Sequence, residues 1–283
     1  MTITQSHEQA ELAGQLSKVP AFPVVAIKVL QIISNDRGQL RELSDLITSD
    51  AAISGEILRM ANSALFGIRM EVSSILQATH MLGLERVKGL VVTIAMKAYL
   101  NGALEIPALR ACWRHSLACA LISEDFAKVS RMEGDVAYTA GLMHDVGRLA
   151  LVAAYRKPYA DFLASAEDTP CDALQREREL FGVDHCQVGQ LLMTRWKLPK
   201  VLMEVASRHH DPAVPGEPAF LSIVRRSCRM ADTLGFGAIQ PHQSRSYVEI
   251  LAEIPERERT RFPPQFNEFV EHIASRINSL ECA

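Results

Sequence analysis

The octet Gly141-Leu142-Met143-His144-Asp145-Val146-Gly147-Arg148 lies inside a run, residues 135–155, that is apolar on almost every face of a helix. A helix without a polar face belongs in a core. Adjacent His144 and Asp145, with Arg148 one turn on, bring polar and charged groups into that core. Each is costly there unless paired, protonated differently or bound to a metal. The octet therefore calls for partners from elsewhere in the chain.

Working outward, the pattern stays helical. Upstream, Val25, Val29, Leu30 and Ile33 recur at helical spacing until Asn35-Asp36-Arg37-Gly38 breaks them. A short helix is predicted over 40–48. Asp50 then caps a helix carrying Ile53, Ile57, Leu58 and Ala61, which ends in Asn62-Ser63-Ala64. Asn62 is expected to bond local backbone and to be structural. Ser74 and Gln77 form a capping-box pattern before Ala78, Met81 and Leu82, with Gly83 as the stop. Residues 84–100 read as a long buried helix.

Asn101-Gly102 and Pro107 mark a seam, followed by a helix over 108–130 that holds Trp113, Leu117, Leu121 and, on another stripe, His115. Asp135 is placed as the cap of the His144-Asp145 helix. Further helices are predicted over 173–181, ending at Gly182; from the Asp184 cap to Trp196; from Leu198-Pro199 to His209-His210; and over 218–234, 246–253 and 264–280. No run alternates with period two. The expected fold is all-α, two packed helical lobes: 1–105, then 106–235 with the candidate site, then a helical extension over 236–283.

Composition narrows the classes. Of 283 residues, 48% are hydrophobic and 22% charged, with a net charge of −3, which gives no electrostatic footprint for nucleic acid. The first eleven residues lack an apolar signal core. The longest apolar run, 89–100, contains Lys97 and is too short to span a membrane. Six cysteines include no Cys-x-x-Cys pair. A reduced, cytoplasmic protein is expected.

Taken singly, each histidine has a structural explanation. His115 fits a core imidazole bonded to a carbonyl. His185 fits a solvated first-turn residue, and His209 and His210 suit a helix C-terminus. Together they read differently: they fall in the order His115, His144-Asp145, His185, His209-His210, Asp232, nearly one per successive helix. Neutral imidazole and carboxylate suit Fe, Mn, Zn or similar divalent ions. Bundle cores build binuclear centres from such residues on facing helices, with a bridging carboxylate.

His115, His144-Asp145 and Asp232 resemble the H…HD…D pattern of the HD metal-dependent phosphohydrolases. The wider match, over roughly residues 14–235, is to the HDOD domain, a mostly regulatory branch of that superfamily in bacterial signalling proteins. Its marks are Val19-Pro20 with Pro23, Asp50, Ile57-Leu58-Arg59-Met60-Ala61-Asn62-Ser63-Ala64, Trp113-x-His115-Ser116, the octet, Glu179-Leu180-Phe181-Gly182 with His185, Trp196-Lys197-Leu198-Pro199, and His209-His210. The chain also matches the related HD-GYP phosphodiesterases at each position of H…HD…H…HH…D. It departs from them in the loop after His210, where Asp211-Pro212-Ala213-Val214-Pro215-Gly216 replaces their Gly-Tyr-Pro loop, which argues against a cyclic-dinucleotide substrate. Ala111 stands where some relatives place an acidic ligand, which argues against a third metal.

The resemblance implies two readings. One is a regulatory module that docks a signalling protein, with any metal structural. The other is a metal-dependent phosphohydrolase of nucleotide or cyclic-nucleotide class holding up to two ions. In the second, His115, His144, Asp145, His185, His209, His210 and Asp232 are ligands, with Asp145 as the bridge, and Arg148 binds phosphate.

Overall fold

A computed structural model of the chain describes residues 21–32, 40–62, 70–100, 102–166, 172–239 and 245–282. The fold is all-α, and no strand occurs among the described residues. Helices α1 (Val24–Ile32), α2 (Leu40–Thr48), α3 (Ala51–Ala61) and α4 (Ile75–Leu82) lead into the long α5 (Leu84–Leu100). A 3₁₀ turn and then α6 (Pro107–Val129), α7 (Gly134–Met143), α8 (Val146–Ala154) and α9 (Arg156–Ser165) follow. The chain continues through α10 (Ala173–Phe181), α11 (His185–Arg195), α12 (Lys200–Arg208), α13 (Ala219–Ala231) and a π turn (Asp232–Phe236). It closes with α14 (Tyr247–Ala252), α15 (Glu256–Arg259) and α16 (Phe266–Cys282). The expected breaks at 35–38 and 63–64, the lead-in up to Pro20, and Asn101 fall outside the described residues.

The ends follow local chemistry. Asp50 accepts from the backbone of Ala52 and Ile53, and Pro107 occupies the first turn of α6, where its missing N–H costs nothing. Asp184 and Gln187 form a reciprocal box at α11, as do Ser246 and Glu249 at α14. The box expected at α4 is half present. Ser74 accepts from the backbone of Gln77, but the Gln77 carbonyl reaches back to the N–H of Ser73, one residue further out.

Two expectations are corrected. Residues 135–155 are two helices, broken at His144-Asp145, where Asp145 (φ −98°, ψ 21°) leaves helical geometry and becomes the N-cap of α8. Asp135 is not a cap. Glu133 holds that place without a side-chain bond, and Asp135 lies within the first turn, where its charge suits the helix dipole.

One buried apolar cluster runs from Phe22 to Leu280. Trp113, Phe126, Tyr159 and Phe269 are its largest fully buried side chains. Each such burial contributes roughly 1.5–3 kcal/mol. Helix α6 is the spine, packed by α7, α9, α13 and α16. Helix α5 is the wall, with α1, α3 and α4 on it as well as α7 and α8. Phe22 stacks on Trp196 at 4.8 Å and Gln31 donates to the Trp196 carbonyl at 3.0 Å, tying the first helix to the end of α11.

Asn62 is a clamp between segments. Its amide nitrogen donates to Leu58 O (2.8 Å) and Val72 O (2.9 Å), and its oxygen accepts from Val72 N (2.8 Å). Asn62→Ala is expected to cost about 1–2 kcal/mol in urea unfolding with metal content unchanged. Loss of metal at unchanged stability would contradict that role.

Candidate metal centre

The two glycines of the octet explain why its polar residues find partners. A Cβ on Gly141 would meet Cys119 O at 2.7 Å and Ala120 Cα at 2.9 Å, so only glycine lets α7 lie directly on α6. A Cβ on Gly147 would meet His185 O at 1.9 Å, so only glycine lets the first turn of α11 touch α8. The first contact sets His144 beside His115, ring centroids 5.3 Å apart. The second sets His185 Nε2 at 3.3 Å from Asp145 Oδ1. His209, from the end of α12, brings Nε2 to the same oxygen at 3.3 Å.

The histidines and carboxylates expected at the site lie in this one cluster, six of them in two groups and Asp232 beside the second. Ligand atoms of Asp145, His185, His209 and His210 lie within 4.8 Å of one another, as do those of His115, His144 and Cys228. The His144 and His209 rings join the groups at 4.9 Å. His144, Asp145, His185 and His209 are buried, and His210 is an exposed rim, its ring 4.4 Å from that of His209. Asp232 stands behind His115, its Oδ1 at 3.4 Å from Nδ1.

The imidazoles share an arrangement. Nδ1 of His144 faces Gly141 O (2.6 Å), that of His209 faces Val205 O (3.2 Å), that of His115 faces Phe236 O (3.3 Å), and that of His185 faces Glu177 Oε2 (2.6 Å). An acceptor on Nδ1 orients each ring so that its Nε2 turns inward, as in carboxylate–histidine–metal sites. Within the cluster, two buried atoms have no hydrogen-bond partner, His144 Nε2 and Asp145 Oδ1. The two imidazole nitrogens near that oxygen are close but out of line for hydrogen bonds. Inward imidazole nitrogens with an unsatisfied carboxylate oxygen are what a divalent cation would complete.

Charge is already largely compensated. Arg148 Nε donates to Asp145 Oδ2 at 2.8 Å, and its NH1 lies 3.9 Å from Glu177 Oε1. Burial opposes the Asp145 charge, yet Arg148 and the imidazoles hold the carboxyl well below its ordinary range. Burial likewise drives His144 down to about 3, so it is neutral at ordinary pH. Burial raises Asp232 to about 6 against the pull of His115.

Three participants escaped the sequence reading: Glu177, Tyr159 and Cys228. Glu177 accepts from the His185 ring and backbone (2.6 and 2.8 Å) and from the Tyr159 hydroxyl. A signal existed, since Glu177 precedes buried Phe181 by one helical turn and so puts a carboxylate on the apolar stripe of α10. Cys228 Sγ lies 3.4 Å from His115 Nε2.

Burial disfavours the charged His185, but Glu177 outweighs it and holds the imidazole up to about 10. Glu177, against the same burial, is held down to about 2 by His185. The histidine contribution is full below its ordinary 6.5, declines as pH rises and is gone above about 10. In chelator-treated protein the urea midpoint should therefore fall between pH 6.5 and 10, and fall less in Glu177→Gln. Parallel profiles for the two proteins would rule the pair out as the cause.

Comparison with known proteins follows this geometry. The family model for the HDOD domain matches residues 19–212. The structure aligns with an HDOD domain protein of unknown function from Geobacter sulfurreducens at a TM-score of 0.70 and 23% identity, covering 96% of this chain and 97% of that one. It aligns with a candidate signal transduction protein from Marinobacter aquaeolei at 0.72 and 19%, covering 98% and 65%. A candidate metal-dependent phosphohydrolase from Shewanella amazonensis aligns at 0.58 and 20%, covering 97% and 99%. An uncharacterized protein of Treponema pallidum is 23% identical over 211 residues, 74% of this chain, and the chain spans 41% of that protein's length. At these identities the solved structures support the fold alone.

Proposed function

Since the chain belongs to the HDOD family, we propose that it is a bacterial signal-transduction module that works through protein contacts and keeps an HD-type cluster as its structural centre. The observation that carries this is the buried Arg148–Asp145 pair at 2.8 Å. The arginine supplies internally the positive charge that a second metal ion would bring, and it is engaged with Asp145 rather than free to hold a phosphate. In this reading residues 1–105 offer the partner surface and residues 106–235 hold the cluster. Of the exposed large apolar side chains among the described residues, Val24, Met70, Leu76 and Met81 fall in the first of these, and Leu180, Val214, Val248 and Phe266 lie outside it. No described helix is long and apolar enough to cross a membrane. A cytoplasmic signalling partner is part of the proposal.

A second reading, a metal-dependent phosphohydrolase acting on a nucleotide-class substrate, is favoured by the unpartnered His144 Nε2 and Asp145 Oδ1. His115, His144, Asp145, His185, His209, His210 and Asp232 would hold one or two divalent ions. Such an ion supplies an activated water and a hold on phosphoryl oxygens. The test is metal analysis of purified protein, then a phosphodiesterase screen with bis(p-nitrophenyl) phosphate and nucleotide esters. The regulatory reading expects no turnover above that of Asp145→Asn. Turnover abolished by that substitution would replace it with the second.

A further inference from the structure

We propose that Cys228, with His115 and His144, forms a mixed thiolate–imidazole site that takes a single thiophilic divalent cation of the zinc or cobalt class. The inference rests on the metal-binding part of the proposed function and names which half of the cluster binds, and through what atoms.

In the half containing Asp145, Arg148 already sets a fixed positive charge against Oδ2 at 2.8 Å, which opposes a dication there. The other half has no fixed cation among its described contacts. There Cys228 Sγ lies 3.4 Å from His115 Nε2, and the ligand atoms of His115, His144 and Cys228 sit within 4.8 Å of one another. An independent observation points to the same place. His144 is 1% exposed, its Nδ1 already faces Gly141 O, and its Nε2 has no hydrogen-bond partner.

Asp232 approaches His115 from the other ring edge, at Nδ1 (3.4 Å). Cys228 and Asp232 are four residues apart, one turn of the same helical course, and they bracket the His115 ring. Cys228 meets the ring at the ligating nitrogen and Asp232 at the orienting one. Asp232 is then a positioning residue and the sulfur is the ligand. Gly237 leaves it that room, since a Cβ there would meet Asp232 Oδ1 at 2.9 Å.

A sulfur donor beside two imidazoles selects zinc-class ions over magnesium, which demands oxygen ligands. Binding exchanges the thiol proton of Cys228, released to solvent, for the cation. No electron is transferred.

The full chain, stripped with chelator, is titrated with Co²⁺ alone. One equivalent should bind and give the near-ultraviolet thiolate-to-cobalt charge-transfer band, displaced by Zn²⁺ and untouched by Mg²⁺. Cys228→Ser should lose the band and bind Co²⁺ at least about tenfold more weakly, while Cys119→Ser keeps it. Asp232→Asn should weaken Co²⁺ binding roughly 10–100-fold with the band intact, as expected when an orienting partner is lost. Because the band reports the sulfur–cobalt bond in the unaltered protein, it does not depend on any variant folding. One bound equivalent without the band, retained in Cys228→Ser and lost in Asp145→Asn, overturns the thiolate site but leaves the metal reading standing. No Co²⁺ binding by the unaltered chain overturns both.

Discussion

Gly147→Ala is expected to lower the unfolding free energy by about 3 kcal/mol or more, above the usual range for one extra methyl group in a core. For a chain of this size that is a fall in Tm of roughly 6–12 °C. The added Cβ would sit 1.9 Å from His185 O and 2.5 Å from Gly189 N. Both are backbone atoms, so no rotamer change relieves the contact and α8 must move off α11. That movement also carries His185 away from Asp145. Gly55 is the control. It lies mid-helix in α3 with nothing within 4 Å of a Cβ, and Gly55→Ala should stabilise by about 0.4–1 kcal/mol. Urea unfolding of both variants gives the answer, and a Gly147→Ala protein within 1 kcal/mol of the parent would mean the close approach is not obligatory.

Much of the fold was legible because helix signals are local. Asp50, Gly83, Gly182 and Asp184 mark ends that the structure keeps, and the apolar stripes between them specify burial. What failed was also local in cause. The break at His144-Asp145 is invisible to periodicity because residues on both sides are apolar on every face, so two helices look like one. The α9 helix was missed for the opposite reason. Arg156, Lys157, Pro158 and Asp161 dilute its stripe, and only Tyr159, Phe162 and Leu163 are buried in it.

For the site, the order of histidines pointed to the residues that gather, because each polar group stood out on an otherwise apolar helix. The partners were harder to see. Glu177 sits among Arg176, Arg178 and Glu179, whose charges make that stretch of α10 read as a solvated face. Cys228 reads as one more small core residue, and only the crossing of α13 over α6 gives its sulfur a histidine. The family resemblance implies a phosphate role for Arg148. Its tie to Asp145 is an i,i+3 pair at the helix break, and that pairing engages the guanidinium.

That tie leads to the other large expected effect. In chelator-treated protein at pH 7, Asp145→Ala should cost about 3 kcal/mol, the low end for breaking a buried ion pair. The low end applies because Arg148, 5% exposed and unable to shed its proton, keeps Glu177 at 3.9 Å and Tyr159 at 3.5 Å as weaker partners. Removing the arginine as well, in Asp145→Ala/Arg148→Met, should recover much of the loss, since the cost lies mainly in the stranded charge. The pH dependence has a definite sign. Asp145 is held below its ordinary 3.8, so its contribution is present above that value and drains away as pH falls through the depressed folded value. The gap between parent and Asp145→Ala should therefore be full near neutrality and close in acid. It would be measured by urea unfolding across pH 2–7, and strictly additive single-variant costs, or a gap that widens in acid, would show that the cluster is not held by this pair.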